Sequence, residues 1–191
     1  MSAVTINFAP AIAMTDEQFY ELCQANRDLK FERSANGDLI LMPPTGGITG
    51  NRNAGLNAQL WLWNESTKLG IVFDSSTCFK LPNGADRSPD AAWIKLERWN
   101  TLTPEQQEEF PPICPDFVVE LLSPSDSLKL TQAKMREYQE NGTSLGWLIN
   151  RKTKQVEIYQ SGKDIEILEH PQTLSAEELL PGFTLSLDMI W

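Results

Sequence analysis

The chain holds a single histidine, His170, placed just before a proline toward the C-terminal end. Serine or cysteine hydrolysis driven by a histidine base therefore has almost nothing to work with. A structural or solvent-facing role is expected of His170. Cysteine is scarce as well. Cys23, Cys78 and Cys114 are odd in number and far apart, which suits neither a disulfide framework nor a zinc pattern and leaves reduced core thiols. There is no phosphate-binding P-loop and no GxGxxG sequence. No apolar run approaches the ~20 residues needed to span a bilayer. The N-terminal stretch MSAVTINFAPAIAMTDEQ has neither the basic start nor the continuous apolar segment of a secretory signal. A cytoplasmic protein with no membrane partner is the expectation.

Positive charge is also in short supply. The formal net charge is −10, which argues against a broad nucleic-acid-binding surface, because neutralising phosphates takes Lys and Arg. The distribution weakens that objection. From residue 155 onward stand Glu157, Asp164, Glu166, Glu169, Glu177, Glu178 and Asp188 against one base, Lys163. The C-terminal part thus carries much of the excess.

What is present is ordinary for a globular protein. The 191 residues, 41% of them hydrophobic, are enough for one domain spanning 1–191 with a proper core. Thr15-Asp16-Glu17-Gln18 has a capping-box pattern and opens a helix to about Gln24. LKFER (29–33) and DLILM (38–42), joined by a turn at Asn36-Gly37, read as a β-hairpin. Residues 51 to 69 form a helix with Leu56, Leu60 and Trp63 near helical spacing, capped by Gly70. Trp61 and Trp63 read as core or subunit interface in preference to binding aromatics. Short strands follow at 71–73 and 77–81, and PDAAWIK (89–95) is another. Thr103-Pro104 opens a short acidic helix. A helix from about Ser127 to Asn141, the strands LGWLIN, QVEIY and DIEILE, and a helical turn with an extended piece complete the pattern. This is a mixed α/β arrangement with a helical crossover.

One strand contains an anomaly. In CPDFVVELLSPSD (114–126), Phe117, Val118, Val119, Leu121 and Leu122 form an almost unbroken apolar run, as expected of a strand covered on both faces. Glu120 sits inside it, and a buried carboxylate is costly without a cation, a metal or hydrogen bonds. Alternation puts Glu120 on one face with Asp116, Val118 and Leu122. On the following helix, ~100° per residue gathers Lys129, Gln132, Arg136, Gln139 and Glu140 on a solvent arc. Leu128, Leu130, Thr131, Met135 and Tyr138 share the opposite arc, and Lys134 falls in its middle. An ion pair with Glu120, or snorkelling of the lysine stem, would satisfy that lysine. Asp90, after Ser88-Pro89 at a strand start, reads alone as a turn or capping residue. If the two strands pair, two carboxylates and a lysine converge. Carboxylates cluster mainly around a divalent cation, and oxygen ligands without His or Cys favour Mg²⁺ or Mn²⁺.

SPD at 88–90, FVVELLSPSD at 117–126 and KMREY at 134–138 resemble the PD-(D/E)XK nuclease superfamily, and within it the bacterial putative restriction endonuclease family. The resemblance extends from the LKFER–NGD–LILMPP hairpin through GWLIN and QVEIY to LPGF. It implies a mixed α+β, restriction-endonuclease-like core: a central mixed β-sheet flanked by helices, with an N-terminal helix and β-hairpin. By that resemblance Asp90 and Glu120 match the metal-binding acids. Leu122 stands where the superfamily places its catalytic lysine, two residues after the glutamate. The family resembled offers a lysine from the next helix, and Lys134 matches it. Glu32, in FER, matches a hairpin glutamate and is a candidate additional acid, although an isolated strand glutamate is more often solvated. The implied activity is Mg²⁺- or Mn²⁺-dependent endonucleolytic hydrolysis of DNA, with a homodimer expected by analogy to two-strand cutting. The alternative is an inactive nuclease-fold protein that serves as a nucleic-acid-binding or assembly module and keeps Glu120–Lys134 as a structural pair.

Overall fold

A computed structural model describes residues 3–8 and 12–191. The elements run in chain order as β1 (Val4–Ile6), α1 (Asp16–Ala25), β2 (Lys30–Arg33), β3 (Leu39–Met42), α2 (Gly47–Thr67), β4 (Gly70–Asp74), β5 (Phe79–Lys80) and β6 (Asp86–Arg87). Next come β7 (Ala91–Lys95), α3 (Leu96–Trp99), α4 (Pro104–Glu108), β8 (Phe117–Leu122), α5 (Leu128–Glu140), β9 (Leu145–Asn150), β10 (Gln155–Gln160) and β11 (Glu166–Glu169), then β12 (Thr173–Ser175) and β13 (Thr184–Ser186).

The main sheet has six strands in the order β11-β10-β9-β8-β7-β4. Only β8 and β9 are parallel, in the register Glu120↔Leu148 and Leu122↔Asn150. A parallel pair cannot be closed by a tight turn, and α5 supplies the crossover. Both faces of β8 are covered. Phe117, Val119 and Leu121 pack with Leu56 and Leu60 of α2 and with Phe183, Leu185 and Ile190. On the other face Val118 meets Met135 and Tyr138 of α5. This double cover is why the strand reads as a near-continuous apolar run.

A second sheet, β1-β3-β2-β6-β5, surrounds the N-terminal hairpin. The hairpin is not a separate appendage: Arg33 of β2 pairs with Asp86 of β6. The chain then runs from β6 through Ser88, Pro89 and Asp90 into β7, crossing from one sheet to the other. Arg33 strengthens the second sheet by donating to Asp86 Oδ2 at 2.7 Å, Asp16 Oδ1 at 2.6 Å and Met14 O at 2.8 Å. The capping box expected at Thr15 is formed, and Thr103, expected to open a helix with Pro104, forms one as well. Cys78 and Cys114 are buried, Cys23 is half-buried, and all three are free thiols. Among the described residues, no helix is long and apolar enough to cross a membrane.

Three sequence expectations need correction. α2 begins at Gly47 instead of residue 51, and it ends on Lys68 in the left-handed region (φ 55°) instead of on Gly70. Gly70 belongs to β4, where its N–H donates to Asn64 Oδ1 at 3.1 Å. Leu130 lies outside the apolar arc and is 72% exposed, on the far side of Lys134 from Met135 and Tyr138, while Leu128 in the same turn packs against the core. Trp61 is half-exposed, while Trp63 packs edge-on to Trp93 at 5.8 Å.

Two glycines give opposite expectations. A Cβ on Gly70 would press into the Ile94 carbonyl and the Trp93 ring, so Gly70→Ala lowers stability by about 2 kcal/mol or more. Gly55, inside α2, has open space where a Cβ would go. Gly55→Ala therefore raises stability by ~1 kcal/mol through helix propensity. Denaturant melts of the two variants test both signs.

Candidate functional site

The crossing between the two sheets brings together the residues singled out in the sequence. β7 pairs with β8 only as far as Ala91↔Val119. The next inward N–H on β8, that of Leu121, is left without a ladder partner. Asp90 fills the gap: Oδ2 accepts from Leu121 N at 2.7 Å, and Oδ1 accepts from Asn53 Nδ2 of α2 at 2.8 Å. Asn57, one turn further along α2, donates to the Asp90 main-chain oxygen at 2.9 Å. The aspartate is thus held by N–H groups beside Glu120.

Glu120 is buried, on the α5 face of the sheet. Its Oε1 lies 2.8 Å from Lys134 Nζ and accepts from the Tyr138 hydroxyl at 3.2 Å. Lys134 comes from the middle of the apolar face of α5, while Lys129 is exposed. The ammonium also donates to Glu32 Oε1 at 2.7 Å and to Ser88 O at 3.3 Å. One lysine therefore bridges a carboxylate from each sheet.

Glu32 departs from the expectation of a solvated strand residue. It is 2% exposed, and it accepts from Ser88 N at 3.0 Å and from Arg87 Nη1 at 3.2 Å. Arg87 is held in turn by Glu137 of α5, whose Oε2 accepts from its Nε at 2.5 Å. The reason is positional: β2 is an inner strand of the second sheet, and its inward side faces α5.

The two acids sharing Lys134 titrate apart. Burial alone would raise Glu32, but Lys134, Arg87 and the Ser88 N–H overcome it and hold the carboxyl near 2. For Glu120, burial dominates, the charges of Asp90 and Glu32 add to it, and Lys134 offsets only part; its pKa is pushed up to about 7. Burial would lower Lys134, but Glu120 and Glu32 raise it overall, so it stays an ammonium. Such splitting of neighbouring acids is common where a site has a chemical task.

Asp90 and Glu120 offer hard oxygen donors. Both hydrogen-bonding neighbours of Glu120 fall on Oε1, which leaves Oε2 open among the described residues. Those residues contain no group of three or more His, Cys, Asp or Glu able to form a full protein cage for a metal. A pair of carboxylates is nevertheless the usual protein share of a Mg²⁺ site, where waters complete the shell. Two surface depressions, one beside Met14, Arg33 and Asn36 and the other beside Asn57, Trp61 and Val72, are not lined by Asp90, Glu120 or Lys134.

Asn53, Arg87, Glu137 and Tyr138 support the site and were not picked out from the sequence. A signal did exist for the asparagines: Asn53, Asn57 and Asn64 follow the helical stripe of Leu56 and Leu60. Asn64 is also engaged at depth, accepting from Trp93 Nε1 at 2.9 Å.

The mixed sheets, the crossover helix and the acids at the sheet junction define the restriction-endonuclease-like fold. Residues 16–188 match the Uma2 family model, described as putative restriction endonuclease, and the chain belongs to that family. It is similar to the crystal structure of a putative nuclease belonging to DUF820 from Anabaena variabilis ATCC 29413. The TM-score is 0.71 at 18% identity, over 84% of this chain and 88% of that chain. No curated protein matches the chain.

The pH dependence of stability follows from Glu120. Its folded pKa, about 7, lies above the ordinary 4.5, so the folded state favours the protonated form. As pH rises from 4.5 through 7, the unfolded chain releases this proton while the folded protein still holds it, so folding grows less favourable. Glu120→Gln mimics the protonated form and escapes that penalty. Without divalent metal, its stability advantage over the native protein should grow by about 3 kcal/mol across this window and then level off. A flat difference between pH 4 and 8.5 in paired melts would contradict the raised pKa.

Proposed function

We propose that this protein is a divalent-metal-dependent endonuclease that hydrolyses phosphodiester bonds in DNA. The observation that carries the reading is the convergence of Asp90, Glu120 and Lys134 where the two sheets meet. Membership of a family described as putative restriction endonucleases supports it. Asp90 and Glu120 would hold Mg²⁺ or Mn²⁺, since both are hard oxygen donors and Glu120 retains an open oxygen. Such a cation supplies charge neutralisation at phosphate and a lowered water pKa.

The protein's own groups then have distinct roles. Asn53 and the Leu121 N–H keep Asp90 aimed. Tyr138 orients Glu120 from the α5 side. Lys134 keeps its proton because two carboxylates stabilise the charge, so it acts electrostatically, against negative charge growing on phosphorus. A general base would need a depressed pKa, and Lys134 is shifted the other way. Glu32, with Arg87 behind it, holds the ammonium in place; we assign it a positioning role instead of metal binding. The protein is expected to work in the cytoplasm, as a homodimer where both strands are cut.

A second reading has a specific observation behind it. Lys134 already pairs with Glu120 at 2.8 Å, as it would in the structural pair of an inactive binding or assembly module. Activity and stability together separate the two. In Mg²⁺ or Mn²⁺ the protein should nick or cut DNA and stop with chelator. Asp90→Asn should stay folded and lose cleavage. Lys134→Met should lower turnover ~100-fold or more while Mg²⁺ still raises the melting temperature, and Lys129→Met should change neither. Inactivity on single-stranded DNA, duplex DNA and RNA, with Lys134→Met costing roughly 3–5 kcal/mol of stability and Mg²⁺ giving no thermal shift, would establish the structural reading instead.

A further inference from the structure

Apart from the exposed Arg27 and Arg136, the arginines elsewhere in the molecule are paired with acids. Arg33 holds Asp16 and Asp86, Arg87 holds Glu32 and Glu137, and Arg98 holds Asp116 at 2.9 Å. Arg151 is different. Among the described residues it donates only to neutral oxygens, Leu122 O and Thr49 Oγ1, both at a long 3.3 Å. A guanidinium has five N–H donors, so most of this one remains open. Arg52 donates to the main-chain oxygen of Trp191 at 3.1 Å.

Two independent routes bring these arginines to the same place. β9 runs parallel to β8 with Asn150 beside Leu122, so Arg151 follows at the end of β9, next to the end of the strand that carries Glu120. Arg52 precedes Asn53, the residue whose amide holds Asp90 Oδ1. The two like charges also sense each other. Burial and then the Arg52 charge lower the Arg151 pKa, while Asp126 and Asp90 act against the shift. The first turn of α2 contains no acid to compete for either guanidinium. On a chain of net charge −10, a half-buried pair of cations without a bound carboxylate side chain is unusual. An anion placed between them would relieve their repulsion, and the planar fork suits a phosphate.

We propose that Arg151 and Arg52 form a phosphate-holding subsite that grips the backbone of a nucleic acid strand beside Asp90 and Glu120. The inference rests on the nuclease reading for its substrate, and it assigns the arginines to binding and positioning. It also answers the objection from net charge: the polyanion is met locally by two cations that no acidic side chain holds, not by a broad basic face.

The test uses the full chain and a fluorescein-labelled DNA duplex, with binding followed by anisotropy in chelator and again in Ca²⁺ across a salt series. Arg151→Met and Arg52→Met should each weaken binding roughly 3- to 10-fold and reduce the salt slope by about 1. Arg136→Met, on the exposed side of α5, should leave both unchanged. The midpoint for Mg²⁺ should hold in all three. If Arg151→Met does not fold, Arg151→Gln keeps a donor toward Leu122 and Thr49 and should show the same loss. Native-like affinity and salt slope in the arginine variants overturn the subsite, as does a native protein with no salt-dependent binding. Cleavage is scored separately at saturating DNA. Metal-dependent cutting with arginine-independent binding removes this inference and leaves the nuclease reading standing. Arginine-dependent binding without metal-dependent cutting supports the subsite and removes the nuclease reading.

Discussion

The burial of one carboxylate organises much of this structure. Glu120 lies in the central part of a strand covered on both faces, where an isolated charge would be untenable. Its compensation cannot come from the strand itself, because Phe117 to Leu122 is otherwise apolar. It comes from Lys134, one crossover away, and this links the register of β8 to the rotation of α5. A different rotation of the helix would leave both charges buried and alone. Since Glu32 uses the same ammonium at 2.7 Å, the second sheet is tied to the same point. Two strands distant in sequence, β2 and β8, thus share a single cation from α5.

That sharing also explains the asymmetry of the acids. One lysine cannot fully compensate two buried carboxylates. Glu32 has Arg87 and the Ser88 N–H as further support and is the one held ionised. Glu120 has only a neutral hydroxyl besides the lysine, with Asp90 near it, so it takes the upward shift. The unbalanced negative charge is therefore concentrated at Asp90 and Glu120. A purely structural network would gain by equalising such a deficit, or by replacing the ions with apolar groups of similar volume, which is often neutral or stabilising.

The legible parts of the sequence were those with a strong local cause. The capping boxes at Thr15 and Thr103, the hairpin around Asn36-Gly37 and the β8–α5–β9 crossover all rest on neighbouring residues. Glu120 and Lys134 were legible as violations of pattern: an acid in an apolar strand and a base on an apolar helix face. What escaped depends on distant packing. Glu32 looks like any strand glutamate until β6 lays Arg87 and Ser88 against it. Asn53 shows in the sequence only as a polar residue on the Leu56–Leu60 stripe, and its partner Asp90 appears only when α2 crosses the start of β7. The end of α2 was misplaced because glycine is the usual helix stop, whereas here Lys68 takes the left-handed position and Gly70 is needed where no side chain fits. Leu130 stands at the edge of the wheel's apolar arc, beyond Lys134, and that edge turns to solvent.

The same contrast bears on the missing lysine at position 122. In this fold Leu122 shares the parity of Glu120 but lies at the end of β8, where it is half-buried. A charge delivered from there would have to turn back along the strand. Lys134 instead descends from the helix above, between Met135 and Tyr138, so its stem packs in apolar surroundings and its ammonium arrives at the carboxylate from the covered side. Burial on that side strengthens the charge interaction and keeps water from screening it. Moving the lysine from strand to helix thus preserves the local charge arrangement while binding it to the packing of α5, so the chemistry proposed for the site and the stability of the crossover depend on the same side chain.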